Sequence, residues 1–272
     1  MTINVDSDTC TRCGICSEVC PLSVIGPVDE ETLPRVAEGR SGMCISCGHC
    51  EAFCPTGALT QSFADESQTG SQRETCGEIS PDNLGIYLKS RRSIRKYRPE
   101  PVGKETIEAL LDVARYAASG GNGQPVEWLV IRDPKEVQKV AGLTIEWMRE
   151  LANSNHPMSG YVPHLIAAWE RGSDIICRGA PHLLIPNIPE ESPIAPTDAI
   201  IALTTVDIAA PAFGLGTCWA GFVAMASRSY RPLQDYYALP KGRIPAYAMM
   251  FGYPRHTPHL IPRRNPLKVT WR

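Results

Sequence analysis

From residue 83 onward, apolar and polar positions recur with regular periods; over residues 61–82 they do not. Residues 104–118 place apolar side chains at 107, 110, 111, 114 and 117, one face of a helix. The segment before it, LGIYLKSRRSIRKY, starts as a helix and runs into a basic turn. A glycine-rich loop follows at 119–125, then a strand at 127–131, and Pro134 opens a helix over 135–153. Residues 155–173 are irregular and then helical. A strand is predicted over 180–185, then a proline-rich loop over 186–197. Asp198 is expected to cap a long apolar helix. Its apolar residues spread around most of the circumference, so burial on several sides is expected. Residues 246–252 read as a buried strand. Helices and strands alternate with few hairpin signals, which indicates an α/β or α+β sandwich.

Composition narrows the function classes. Hydrophobic residues make up 43%, enough for an ordinary core. The net charge is −2 and no basic stripe is present, so neither nucleic acid nor a membrane surface is an expected partner. No run approaches the roughly 18 apolar residues of a membrane span. The first residues lack a basic region followed by an apolar run, so no signal peptide is expected and the cytoplasm is the expected location. Eight of the 11 cysteines fall between residues 10 and 54, and in that setting metal binding is a better reading than disulfides.

Those eight form a repeat. Cys10, Cys13, Cys16 and Cys20 precede Pro21; Cys44, Cys47, Cys50 and Cys54 precede Pro55, each 34 residues after its counterpart. A cubane cluster needs four thiolates from several directions, and the two-residue spacings turn the chain around it. Zinc sites use paired spacings rather than a triplet plus one. The repeat resembles bacterial two-cluster ferredoxins over residues 1–62. That resemblance implies two [4Fe–4S] clusters, with the last cysteine of each run crossing over. Cys10, Cys13, Cys16 and Cys54 would hold one; Cys44, Cys47, Cys50 and Cys20 the other. Residues 63–82 read as a linker, in which Cys76 is incidental, and residues 83–272 as a second domain.

Four motifs follow in order: Arg91-Arg92-Ser93-Ile94-Arg95, Ser119 to Pro125 with Asn122 and Gln124, Gly214 to Phe222, and Gly252-Tyr253-Pro254. Together they resemble the nitroreductase family of FMN enzymes over residues 83–272. The resemblance implies a dimeric α/β sandwich with FMN at the subunit interface, preceded here by a ferredoxin-like module. Arg91, Ser93 and Arg264 would meet the phosphate, with Arg92 and Arg263 beside them, since guanidinium groups bind phosphate bidentately. Arg95 would sit at the flavin N1–O2 edge and stabilise the reduced ring. Ser119, Asn122 and Gln124 would reach the flavin from the partner subunit. The amide of Ala220 would bond flavin N5, with Trp219 and Gly221 beside it.

The same resemblance implies electron transfer from the clusters to FMN and on to a nitroaromatic or quinone-like acceptor. The donor would be an external ferredoxin-like carrier or NAD(P)H. A sensor or shuttle without turnover, and ene reduction or dehalogenation on the same scaffold, are alternative readings. No nucleophilic side chain is required. His156, Tyr161 and His164 are candidate polar contacts in a cover over residues 139–173, and Cys177 and Cys218 read as core residues.

Overall fold

The structure is a computed structural model describing residues 2–29, 31–62 and 78–272. Cys76 and most of the expected linker lie outside the described residues. The chain divides into two compact units, residues 1–78 with 121–123, and 79–120 with 124–272.

In the first unit, β1 (Ile3–Val5) pairs antiparallel with β2 (Leu59–Gln61), Ile3 opposite Gln61. Two single-turn helices, α1 (Ile15–Glu18) and α2 (His49–Ala52), each follow a glycine in the left-handed region, Gly14 at φ 76° and Gly48 at φ 71°. A side chain is strained there, and glycine lets each cysteine loop reverse inside its two-residue spacing. The core is small: Cys16, Ile25, Cys50 and Leu59. Apolar burial in this unit is correspondingly limited.

The second unit is an antiparallel sheet between helices. Its strands are β3 (Glu127–Ile131), β4 (His182–Pro189), β5 (Gly216–Trp219), β6 (Arg243–Pro245) and β7 (Met249–Gly252). They run in the order β3-β4-β7-β5, with β6 also on β4. The helices are α3 (Pro81–Ser90), α4 (Lys104–Ala114), α5 (Pro134–Ala152), α6 (Val162–Glu170), α7 (Ala195–Ala209), α8 (Gly221–Ser229) and α9 (Arg231–Tyr237). Helices α5 and α6 contribute Val137, Val140, Ile145, Met148 and Val162 to one apolar layer. Helices α4 and α7 contribute Ile107, Leu110, Leu203 and Val206 to another, along with Met249 and Phe251 of β7. The fold class is α+β.

Three expectations change. Strand β4 runs on through Pro186 to Pro189 instead of ending in a loop at 186. The carbonyl of Pro186 points to Ala246 N–H at 2.8 Å, so its missing N–H faces that same side. There β6 and β7 are interrupted between 246 and 248, and the ladder to β3 loses nothing. Helix α7 starts three residues before Asp198, which sits buried inside its first turn and does not cap it. Burial around α7 is also incomplete: Ile200, Ile201 and Ile208 remain exposed at 37–39%.

Candidate functional site

The first unit holds the thiol sites. A cavity is lined by Cys10, Cys13, Cys16 and Cys54, backed by Ile15, Pro34 and Leu59. Among the described residues, no three Cys, His, Asp or Glu side chains crowd together as ligands of one bare ion would. Four thiols spaced around a cavity suit a multi-iron core instead. Burial pushes Cys50 up to about 11, with Cys47 and Cys20 close enough to add to the rise. Burial likewise raises Cys16, with Cys13 and Cys10 adding.

The fourth cysteines behave differently. Burial acts to raise Cys54, but the N–H groups of Leu59, Thr56 and Ala58 and the Thr56 hydroxyl outweigh it, and the thiol lies below its ordinary value. Cys20 is lowered against its own burial by the N–H groups of Ile25, Val24, Leu22 and Ser23. Each Cys-Pro segment thus curls its amides around a sulfur. That stabilises the thiolate a metal centre needs. The donors therefore fit iron–sulfur ligation.

In the second unit, three of the four motifs meet at β5. The N–H of Ile94 donates to Thr217 O at 2.8 Å, and that of Arg98 to Tyr253 O at 2.8 Å. The close fit explains two glycines. A Cβ on Gly216 would lie 2.8 Å from Ile94 Cβ and 2.9 Å from Pro254 Cγ. A Cβ on Gly252 would lie 2.6 Å from Pro181 Cγ. Gly216 is therefore small for protein packing. Gly221 is not crowded in this way; the nearest neighbour of a Cβ there would be Tyr247 Oη at 3.7 Å.

Helix α7 ties the motifs together through two buried carboxylates: Asp207, which sequence reasoning missed, and Asp198, which it read as a cap. Asp207 accepts from Arg91 Nη1 at 3.5 Å, from Trp219 Nε1 at 3.1 Å and from the Thr217 hydroxyl. Asp198 accepts from Gly120 N–H at 3.0 Å, anchoring the glycine-rich loop. A charged residue on an otherwise apolar helix was the available signal. Ser119 and Gln124 line a cavity of about 140 Å³ with Trp128 and Asp198, and Ser119 Oγ accepts from Gln124 N–H. Residues 121–123 group with the first unit, where Asn122 Nδ2 donates to Ile45 O and Ser46 O at 3.1 and 3.0 Å.

A family model for the nitroreductase family matches residues 88–253, more than half of the chain. The chain belongs to the nitroreductase family. A second model, a 4Fe-4S dicluster domain, matches residues 9–59. The chain is 28% identical over 170 residues to an NAD(P)H-dependent FMN reductase of Bacillus subtilis, covering 61% of this chain and 64% of that protein. It is 26% identical over 182 residues to a Methanothermobacter thermautotrophicus protein named as a candidate NADH dehydrogenase/NAD(P)H nitroreductase, covering 67% and 83%. Among solved structures, a Desulfitobacterium hafniense nitroreductase with bound FMN superimposes with a TM-score of 0.56 at 22% identity, covering 69% of this chain and 97% of that one.

The other expected site residues are dispersed in the single chain. Arg92 and Ser93 are half-buried and Arg95 is exposed. Arg263 and Arg264 are exposed in the C-terminal segment, where Arg264 Nη1 donates to Arg263 O. The N–H of Ala220 donates to Ala248 O at 2.9 Å, which corrects its expected role towards a flavin nitrogen. Gly221 begins α8 and opens the run of amides that have no partner inside the helix. His156, Tyr161 and His164 are all exposed. Among the described residues, no helix is long and apolar enough to cross a membrane.

Proposed function

We propose that the chain is an iron–sulfur flavoprotein oxidoreductase in which electrons enter singly at two [4Fe–4S] clusters, pass to FMN and leave in pairs to a small acceptor. The observation that carries this reading is the coexistence, in one chain, of a four-thiol cavity and the junction of Arg91, Thr217 and Trp219 around Asp207 at β5. Cys10, Cys13, Cys16 and Cys54 would hold one cluster, and Cys20, Cys44, Cys47 and Cys50 the other.

Arg91 would offer the phosphate those guanidinium donors that Asp207 leaves free, and Ser93 would add a hydroxyl. Arg95 would supply positive charge at the pyrimidine edge. The Gly221 amide, at the positive end of α8, would donate to the ring edge opposite. No side chain acts as a nucleophile. The exposed isoleucines of α7, with Ile194 at its start, support a homodimer that completes the flavin site, since an apolar helix face of this kind is normally covered.

The test is to reduce the clusters selectively in anaerobic protein and follow flavin absorbance, then add a panel of acceptors. Flavin bleaching within the turnover time, with reoxidation by nitroaromatics or quinones, is the expected result. A flavin that stays oxidised would refute the relay. Bleaching with no reoxidation by any acceptor would favour a sensor or shuttle. Preferred reoxidation by haloaromatics would favour reductive dehalogenation; a short stretch of 56 residues is 41% identical to an iodotyrosine deiodinase of Nematostella vectensis.

A further inference from the structure

The two cysteine runs are near copies, so clusters held by them would differ only where their surroundings differ. One such difference falls at Gln61. It ends β2 at 8% exposure, its Nε2 donates to Cys44 Sγ at 3.4 Å, and its Oε1 lies 4.0 Å from Cys50 Sγ. Pairing with Ile3 and a bond from its N–H to Glu51 Oε2 at 3.1 Å fix its position. The residue 34 positions earlier is Pro27, which has neither an N–H nor a polar side chain. The counterpart of Glu51 is Ser17, whose hydroxyl donates to Ile25 O at 3.1 Å instead. One half of the repeat thus aims a buried amide at a cysteine sulfur, where the other half has a proline; the cluster of Cys10, Cys13, Cys16 and Cys54 meets instead the exposed Thr56 hydroxyl, at a longer 3.7 Å from Cys54 Sγ.

We propose that Gln61 sets the reduction potential of the cluster held by Cys20, Cys44, Cys47 and Cys50, making it the easier of the two to reduce. This rests on the reading that those cysteines ligate a cluster. Reduction adds negative charge that spreads onto the sulfurs, so an N–H donor stabilises the reduced form more than the oxidised one. Burial strengthens the effect, because little water competes for the sulfur. Once ligated, Cys50 has no proton to give Oε1, and the N–H end of the amide remains as the favourable contact. An amide does not titrate, so the contribution is independent of pH. Electrons entering the module would settle first on the Gln61 side.

The experiment is a spectroscopically monitored redox titration of the full chain, wild type against Gln61→Leu and Gln61→Met, with iron content and melting temperature measured in parallel. One cluster should become harder to reduce by about tenfold in its equilibrium constant, about 59 mV for one electron, while the other stays fixed. Gln61→Met keeps the side-chain length without the donor, and serves if Gln61→Leu fails to load. Thr60→Val, on the exposed face of the same strand, should move neither cluster. Full iron with both potentials unchanged, or both shifted equally, would overturn the proposal. Wild type without iron would overturn the cluster reading itself, and is seen before any variant is made.

Discussion

Trp219 Nε1 donates to Asp207 Oδ2 at 3.1 Å, and the same carboxylate accepts from Arg91 and Thr217. One buried acid therefore fixes the first residue of the basic motif and the last residue of β5, which lie 128 positions apart in the sequence. Asp207→Asn offers one acceptor and one donor to three donors, so at least one loses its partner. The expected cost is about 2 kcal/mol, together with a changed near-UV circular dichroism from Trp219. Unfolding curves and spectra identical to wild type would mean that the network contributes nothing.

Glycines in the 214–252 region should separate by cause. Gly216→Ala forces a Cβ against Ile94 and Pro254 and should destabilise by about 1–3 kcal/mol or more. Gly221→Ala meets only Tyr247 Oη at 3.7 Å and should leave the melting temperature near wild type while weakening flavin binding severalfold. Thermal melts with flavin titrations check both. A tolerated Gly216→Ala would refute the packing argument.

His182 gives the second unit a pH dependence. Its ring is buried, Nε2 accepts from Val102 N–H at 2.8 Å, and Nδ1 donates to Arg132 O at 2.9 Å. Burial, the largest cause, lowers its pKa below 6.5, although the bond to Arg132 O opposes this. Below pH 6.5 the unfolded chain takes up a proton that the folded chain refuses, so stability falls as pH drops from there towards the folded value. His182→Gln should flatten the slope between pH 7.5 and 5. An equal slope in both proteins would place the dependence elsewhere.

Cross-ligation makes a sharp forecast for cysteine variants. Cys54 follows the second run in sequence but shares a cavity with Cys10, Cys13 and Cys16. Cys54→Ser and Cys13→Ser should therefore alter the same cluster signal, and Cys20→Ser the other. If Cys54→Ser instead matches Cys47→Ser in the reduced-state spectrum, the cavity grouping is wrong.

The parts that were legible in the sequence are those whose information is local. Cysteine spacing and the amphipathic face at 107, 110 and 114 each follow from residues within a few turns of one another. Contacts over longer separations were not legible. Asp207 meets Arg91 across 116 positions, and nothing near either residue announces the pair. Pro186 read as a loop because its tolerance in β4 depends on a gap between two distant strands. Asp198 read as a cap because its partner, Gly120, lies 78 positions away. The amide of Ala220 was assigned to a ligand because its carbonyl partner, Ala248, belongs to the neighbouring chain segment before β7.

The most direct measurement is the iron, acid-labile sulfide, zinc and flavin content of anaerobically purified protein. About eight irons and one FMN per chain are expected. Colourless protein, or protein that carries zinc in place of iron, would contradict two clusters and a flavin held by one polypeptide.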